Sequence, residues 1–318
     1  MKILRVVAVL VVTWLSVAHG QDTPPPWVYV MNPPDFKPGP DDGSLRRVPD
    51  SDAAFTLTQV RDLFFAPDWH PQDHPSMPEI VARGRKPDVF ACGVCHRADG
   101  PGGPENSSLA GLPKAYIVQQ MRDFKNGART TSVPARLPSK LMIALAKGVT
   151  DAEVEAAAEY FAALKQRANI RVLETDAAPK TYVTGWFLAA ATTSEKEPLG
   201  RRIIEVPEDL DRFVSRDSRV GFNAYVPVGS VKQGALLATT GASGKTVPCA
   251  GCHGPDLKGA AAVPGIAGRS PSYMIRQLYD FKSGARAGKD SALMKPSVEK
   301  LTVDDMVALA AYAASLSP

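Results

Sequence analysis

The sequence predicts a mainly α chain in which two similar helical units flank a small β-rich insert and follow a Pro-rich arm. Three observations predict it. Cys92-Gly93-Val94-Cys95-His96 returns as Cys249-Ala250-Gly251-Cys252-His253, and the offset of 157 pairs much of the surrounding sequence. The paired stretches carry helical spacing of apolar residues and helix caps. The stretch between them carries short β-branched and aromatic runs instead. A chain of 318 residues, 44% hydrophobic, is long enough for two domains, and its 28 Pro imply extended connections.

Residues 1–20 read as a secretory signal peptide. Lys2 and Arg5 precede an apolar run from Val6 to Ala18, and small residues lead to cleavage between Gly20 and Gln21. The run is short for a membrane span, and no later stretch qualifies as transmembrane. The chain is therefore expected to be exported, to the periplasm or beyond. Losing Lys2 and Arg5 removes two from a formal charge of only +4, so nothing supports a nucleic-acid partner.

Residues 21–75 form the arm, with Pro24-Pro25-Pro26, Pro33-Pro34, Pro38 and Pro40 dictating extended backbone and one short helix expected from Leu57 to Phe65. Its aromatic residues argue for an arm strapped across a folded unit. His70 and His74 lie among prolines that forbid a helical i, i+4 metal pair, and read as surface-loop histidines.

The first unit spans 76–167. Ser76 caps a short helix ending near Gly84. Ala115 to Gly127 reads as a helix with Ile117, Met121 and Phe124 on one face. Thr150-Asp151-Ala152-Glu153 is a capping box opening a helix that turns Val154, Ala158, Phe161 and Leu164 inward. The insert, 168–228, shows strand-like runs at Ile170–Leu173, Tyr182–Leu188, Arg202–Val206 and Ala224–Val226. The second unit, 229–318, repeats the first: Gly241 pairs with Gly84, Ile-Ala-Gly with Leu-Ala-Gly, Tyr273 with Tyr116, and Asp-Phe-Lys-Ser-Gly-Ala-Arg with Asp-Phe-Lys-Asn-Gly-Ala-Arg. Beyond that point the second copy is five residues shorter, so Thr302 matches Thr150.

The chemistry lies in C-x-x-C-H. Two thiols at that spacing reach both vinyl groups on one porphyrin edge, and the next His can take an axial place on the iron. All four Cys fall within the two motifs, leaving none for disulfides, and the pairs are too far apart in sequence to support a shared zinc. Two covalent, thioether-linked haem c groups are expected, on Cys92, Cys95 and His96 and on Cys249, Cys252 and His253. Met142 and Met294 each lie eight residues before the capping Thr and are the candidate sixth ligands; Met121, Met274 and Met306 lack a paired methionine and read as core.

Each half resembles a class I cytochrome c domain: short helix, C-x-x-C-H, Leu/Ile-Ala-Gly, Tyr-x-x-x-Gln-x-x-x-Phe-Lys-x-Gly-x-Arg, a Met on a loop, and a closing helix. The tandem is similar to bacterial periplasmic dihaem cytochromes c. That resemblance covers neither 21–75 nor 168–228. It implies iron ligation by His96 with Met142 and by His253 with Met294. Pro264 fits the family pattern near the proximal His, whereas the first copy has Ser107, so another carbonyl is expected to fix the His96 tautomer.

The expected function is a dihaem electron carrier between redox proteins, with no catalytic residue assigned. Two alternatives stay open: a cytochrome subunit of a periplasmic or membrane dehydrogenase, and a dihaem oxidoreductase with one open haem. A dehydrogenase or a terminal oxidase is the class of partner in view. The longer loop before Met142, Thr130 to Leu141, together with the missing counterpart to Pro264, predicts a weaker thioether bond and the lower potential at the first haem.

Overall fold

The computed structural model describes residues 23–318. The signal-peptide reading falls on residues outside these.

Prolines keep the arm extended, with a 3-10 turn at Pro26–Val28 and one short helix, α1, at Leu57–Arg61. Thr56 and Gln59 form a reciprocal capping box at its start. The helix stops before Phe65 because Asp62 turns extended and its carboxylate accepts from the Phe64 amide at 2.8 Å. The arm is fastened at both ends. Val28 and Tyr29 enter the core of the C-terminal helices, and the Tyr29 hydroxyl donates to Asp280 at 2.7 Å. Trp69 is 2% exposed and donates to the Ser215 carbonyl at 2.7 Å.

Five helices follow: α2 (Glu79–Ala82), α3 (Cys92–His96), α4 (Lys114–Lys125), α5 (Leu137–Gly148) and α6 (Asp151–Ala163). The first is a single turn whose N-cap is Pro78 and not Ser76, because Pro78 already holds the extended dihedrals a cap needs. The chain turns away from it two residues past its end at Gly84, with φ at +67°, where a Cβ would meet the Val89 carbonyl oxygen. Thr150 and Glu153 close the expected capping box on α6. Val81, Val118, Ala158 and Phe161 are central to this core. The segment expected as a loop up to Leu141 is helical from Leu137, since Pro138 sits in the first turn, where its missing N–H costs nothing.

The insert contains seven strands, β1 (Ile170–Glu174), β2 (Ala177–Pro179), β3 (Thr181–Thr184), β4 (Phe187–Ala190), β5 (Lys196–Pro198), β6 (Ile204–Pro207) and β7 (Phe222–Val226). Strand β7 lies between β1, parallel to it, and β6, antiparallel. The run Tyr182–Leu188 is a hairpin and not one strand: Gly185 and Trp186 both have positive φ, the signature of a tight two-residue turn. A helix absent from the strand reading, α7 (Leu210–Val214), is capped by Asp209 and packs Phe213 edge-on between Phe187 and Phe222.

The chain closes with α8 (Ser230–Thr240), α9 (Ala250–His253), α10 (Pro271–Lys282), α11 (Lys295–Val298) and α12 (Val303–Ser315). The last is apolar nearly all round and buried from Asp305 to Ala311. It crosses α8 at Gly234, where a Cβ would meet the Ala308 carbonyl oxygen at 2.0 Å. Val172 of β1 packs against the same core, so the insert adheres to the C-terminal helices.

Candidate haem sites

A single helical turn presents both cysteines and the histidine of each motif, α3 in one half and α9 in the other. Each histidine makes one strong backbone bond. His96 Nδ1 lies 2.8 Å from the Ser107 carbonyl and His253 Nδ1 lies 2.8 Å from the Pro264 carbonyl. With Nδ1–H donating, Nε2 keeps its lone pair, the form that binds iron. Burial, aided by the Arg129 and Arg97 cations, holds His96 below the ordinary histidine range; burial and then Arg286 do the same for His253. The expectation of a different carbonyl for His96 is corrected: residue 107 supplies it as residue 264 does, because a carbonyl accepts whatever side chain follows it.

The loops beyond the motifs match atom for atom. Gly102 N–H donates to the His96 carbonyl and Gly259 N–H to that of His253. The residue after each histidine has positive φ, at Arg97 and at Gly254. Cys92 packs in the core with Tyr116 and Met121, and Cys249 packs in the other with Met294. Burial pushes the Cys92 thiol up to about 12 and Cys249 to about 11, so both are neutral thiols in the free polypeptide. Met294 joins the 3-10 turn Ser291–Leu293 to α11. Met142 is half-buried within α5, on a helix where a loop was expected, and does not pack into the core that holds Cys92.

Several buried guanidinium groups keep N–H donors that an added anionic group would meet. Among the described residues, Arg97 Nε and Nη1, Arg136 Nε and Arg286 Nε are buried donors without an acceptor, although Arg97 Nη2 lies 3.6 Å from Glu105, and Asp99, Glu105 and Glu205 each keep a buried oxygen without a donor. Arg136, 2% exposed, reaches only the carbonyls of Glu105 and Trp186, and burial drives its guanidinium down to about 9. Unanswered buried N–H groups cost about 1–3 kcal/mol each. Haem propionates are the kind of partner that removes this cost.

Between the two motifs, sequence reasoning missed a reciprocal clasp. Arg129 donates to Gln120 of its own helix pair and to Tyr273 and Gln277 across the interface, each at 2.9 Å. Arg286 returns the arrangement, to Gln277 at 3.1 Å, Tyr116 at 2.7 Å and Gln120 at 2.8 Å. Backbone bonds join Thr130 to Ala285 and Ala287 to Ala128. The signal was present as Tyr, Gln and Arg recurring at the 157 offset.

His70 and His74 are elsewhere engaged. His70 is buried, correcting the surface reading: Nε2 lies 3.1 Å from Asp217, itself fully buried and bonded to Arg212 at 2.7 Å. His74 reaches Asp68 at 3.2 Å and the Pro75 carbonyl at 2.9 Å. Replacing both with Gln is expected to leave the visible spectrum unchanged while lowering stability by about 1 kcal/mol, because Asp217 Oδ1 loses one of its two partners and keeps the Arg219 amide at 2.9 Å. Denaturant titration with absorbance checks this, and loss of a low-spin band would make one of them a ligand.

The family model for cytochrome c matches residues 238–317. The thiosulfate dehydrogenase electron acceptor of Thiomonas intermedia (strain K12) is 28% identical over 238 residues, 73% of this chain and 82% of that protein. The cytochrome subunit of sulfide dehydrogenase from Chlorobaculum tepidum is 32% identical over 97 residues, 30% of this chain and 86% of that one. Among solved structures, a thiosulfate dehydrogenase from Marichromatium purpuratum in its as-isolated form superposes on 74% of this chain with a TM-score of 0.50 and 27% identity, this chain spanning 38% of its length. No helix among the described residues is long and apolar enough to cross a membrane. With the cysteine–cysteine–histidine turn made twice and these matches beside it, the chain belongs to the dihaem cytochrome c family.

Proposed function

We propose that this electron-transfer cytochrome is a periplasmic dihaem carrier built from two tandem cytochrome c units, 76–167 and 229–318, bridged by the β-rich insert. One haem c is held by Cys92, Cys95, His96 and Met142, the other by Cys249, Cys252, His253 and Met294. The observation that carries the reading is the pair of imidazoles locked through Nδ1 to carbonyls 11 residues on, each beside two thioether-spaced cysteines. The bound iron supplies reversible one-electron chemistry. The polypeptide holds both imidazoles neutral, excludes water from the cores, and sets unpaired guanidinium N–H groups around the interface. The Arg129–Arg286 clasp fixes one unit against the other, so an electron passing between them meets a rigid path.

A second reading, the electron-accepting subunit of a periplasmic dehydrogenase, draws on the likeness to the thiosulfate dehydrogenase electron acceptor of Thiomonas and the sulfide dehydrogenase cytochrome subunit of Chlorobaculum. Both readings share one test. Intact mass of the exported protein is expected to exceed the leaderless polypeptide by two haems, with no thiol titratable under denaturing conditions. One haem, or zinc in place of haem, defeats both. A stable complex with a dehydrogenase on gel filtration selects the second.

A further inference from the structure

One side chain ties together the two loops that hold the histidines. Ser107 and Pro264, whose carbonyls hold His96 and His253, are followed by Ser108 and Gly265, a pair at the same 157 offset. Arg269 grips both. Its Nε donates to the Gly265 carbonyl at 2.7 Å, while Nη1 donates to the Ser108 carbonyl at 3.2 Å and to Ser108 Oγ at 2.8 Å. Nη2 donates to the Ala110 carbonyl at 3.0 Å, two residues further along the first loop. In their own bonds the loops are alike: the amides of Leu109 and Ala110 share the Gly100 carbonyl, as those of Ile266 and Ala267 share that of Leu257. The counterpart of Arg269 is Leu112, an apolar core residue, so the tie is not a product of the duplication.

Arg269 differs from the buried arginines whose N–H groups lack acceptors. Arg97, Arg136 and Arg286 each keep a donor open, whereas every Arg269 nitrogen has an acceptor. Those acceptors are three backbone carbonyls and one hydroxyl, with no carboxylate among them. Burial lowers its guanidinium to about 10, which leaves it charged at neutral pH. Its own position is fixed by the next residue: Ser270 caps α10 and donates to buried Glu205 of β6 at 2.7 Å. A guanidinium presents its donors in a rigid planar fork, so two loops gripped by one fork cannot shift independently.

We propose that Arg269 is a positioning residue for both haems at once, setting together the electron-donating strength of His96 and His253 by fixing the loops whose carbonyls orient them. The proposal rests on the carrier reading above. Its physical basis is that an imidazole donating a firm Nδ1–H bond is the more basic ligand and favours ferric iron. Loosening both loops weakens both bonds and moves both haems towards the ferrous form.

The sample is the haem-loaded full chain, and Arg269→Lys keeps the charge while giving up the fork. R269K is expected to shift both reduction equilibria towards ferrous by roughly threefold to tenfold. Proton NMR of the ferrous protein is expected to show faster solvent exchange of both imidazole Nδ1 protons. Gln166→Ala is the control: its side chain bonds the Ala267 carbonyl at 3.0 Å across the same seam and touches neither Ser108 nor Gly265, so both potentials are expected to stay in place. Ser108→Ala removes one acceptor from the first loop only and is expected to move the His96 haem alone; it decides the matter should R269K fail to hold two haems. A parent with fewer than two haems defeats the carrier reading and this proposal with it. With both haems in place, parental potentials and exchange rates in R269K, a shift of one haem only, a shift of both towards ferric, or an equal shift in Q166A overturns the proposal alone. So does S108A moving neither haem or both.

Discussion

Met294→Ala is expected to convert one haem from closed and low-spin to open and carbon-monoxide-binding, while the other keeps its spectrum. Met294 is pinned on both sides: its amide donates to Ser291 at 3.0 Å, and its carbonyl accepts from Ser297 at 3.0 Å and Val298 at 3.2 Å. A thioether held at a helix junction, packed in the same core as Cys249, is placed to serve as a sixth ligand. Truncation removes the ligand and some packing; a buried Met→Ala change costs about 2–5 kcal/mol and a half-buried one less. Met294→His separates the two effects, since imidazole restores a low-spin haem without restoring the packing. Met142→Ala is expected to act likewise on the first haem. There the competing thioether is Met77, which packs in the clusters that hold Cys92 and Cys95. If M142A stays closed and M77A opens, Met77 is the ligand; if M294A stays low-spin and excludes carbon monoxide, Met294 is a core residue only.

What was legible in the sequence was whatever depends on local spacing. The C-x-x-C-H turns, the capping boxes at Thr150 and Thr302 and the inward face of α6 are each set by residues a few positions apart. The misses share a different cause. Tyr182–Leu188 reads as one strand because Gly185 and Trp186 carry their positive φ inside an otherwise β-like run. The helical start at Leu137 was hidden by Pro138, which breaks helices in their interior but suits their first turn. His70 read as a surface residue because its partner, Asp217, lies 147 residues away in another segment. The Arg129–Arg286 clasp and the packing of arm residues Leu63 and Ala66 against Cys95 of α3 are likewise contacts between separate segments, and periodicity along the chain carries no information about them.

The order of the two potentials is where the structure changes the grounds for the sequence-based expectation. The lower potential was assigned to the His96 haem on two grounds, a slack loop before Met142 and a missing counterpart to Pro264. Neither stands: residues 137–148 are helix, and the Ser107 carbonyl holds His96 at the same 2.8 Å. In their place stand the arm and insert packed on the first motif, where Leu63 and Ala66 lie against Cys95 and Arg216 donates to the Val94 carbonyl, and Arg97. This buried cation follows His96 directly, lies over the Phe213 ring at 4.6 Å and is 3.6 Å from Glu105; its counterpart is Gly254. Ferric haem carries one more positive charge than ferrous, so exclusion of water and a nearby guanidinium both disfavour it. The His96 haem is therefore expected to titrate at the higher potential. Arg97→Gly tests this without straining the backbone, because φ of +69° suits glycine, as it does Gly254 at +85°. Unit charges about 10 Å apart at an effective dielectric of about 20 interact by roughly 1–2 kcal/mol. R97G is thus expected to lower the higher step by tens of millivolts, roughly, and leave the lower one in place, with Arg97→Lys retaining most of the parent value. Potentiometric titration of the three proteins reads this directly. A shift confined to the lower step restores the original order, and no shift in either shows that the Arg97 charge is already neutralised by Glu105.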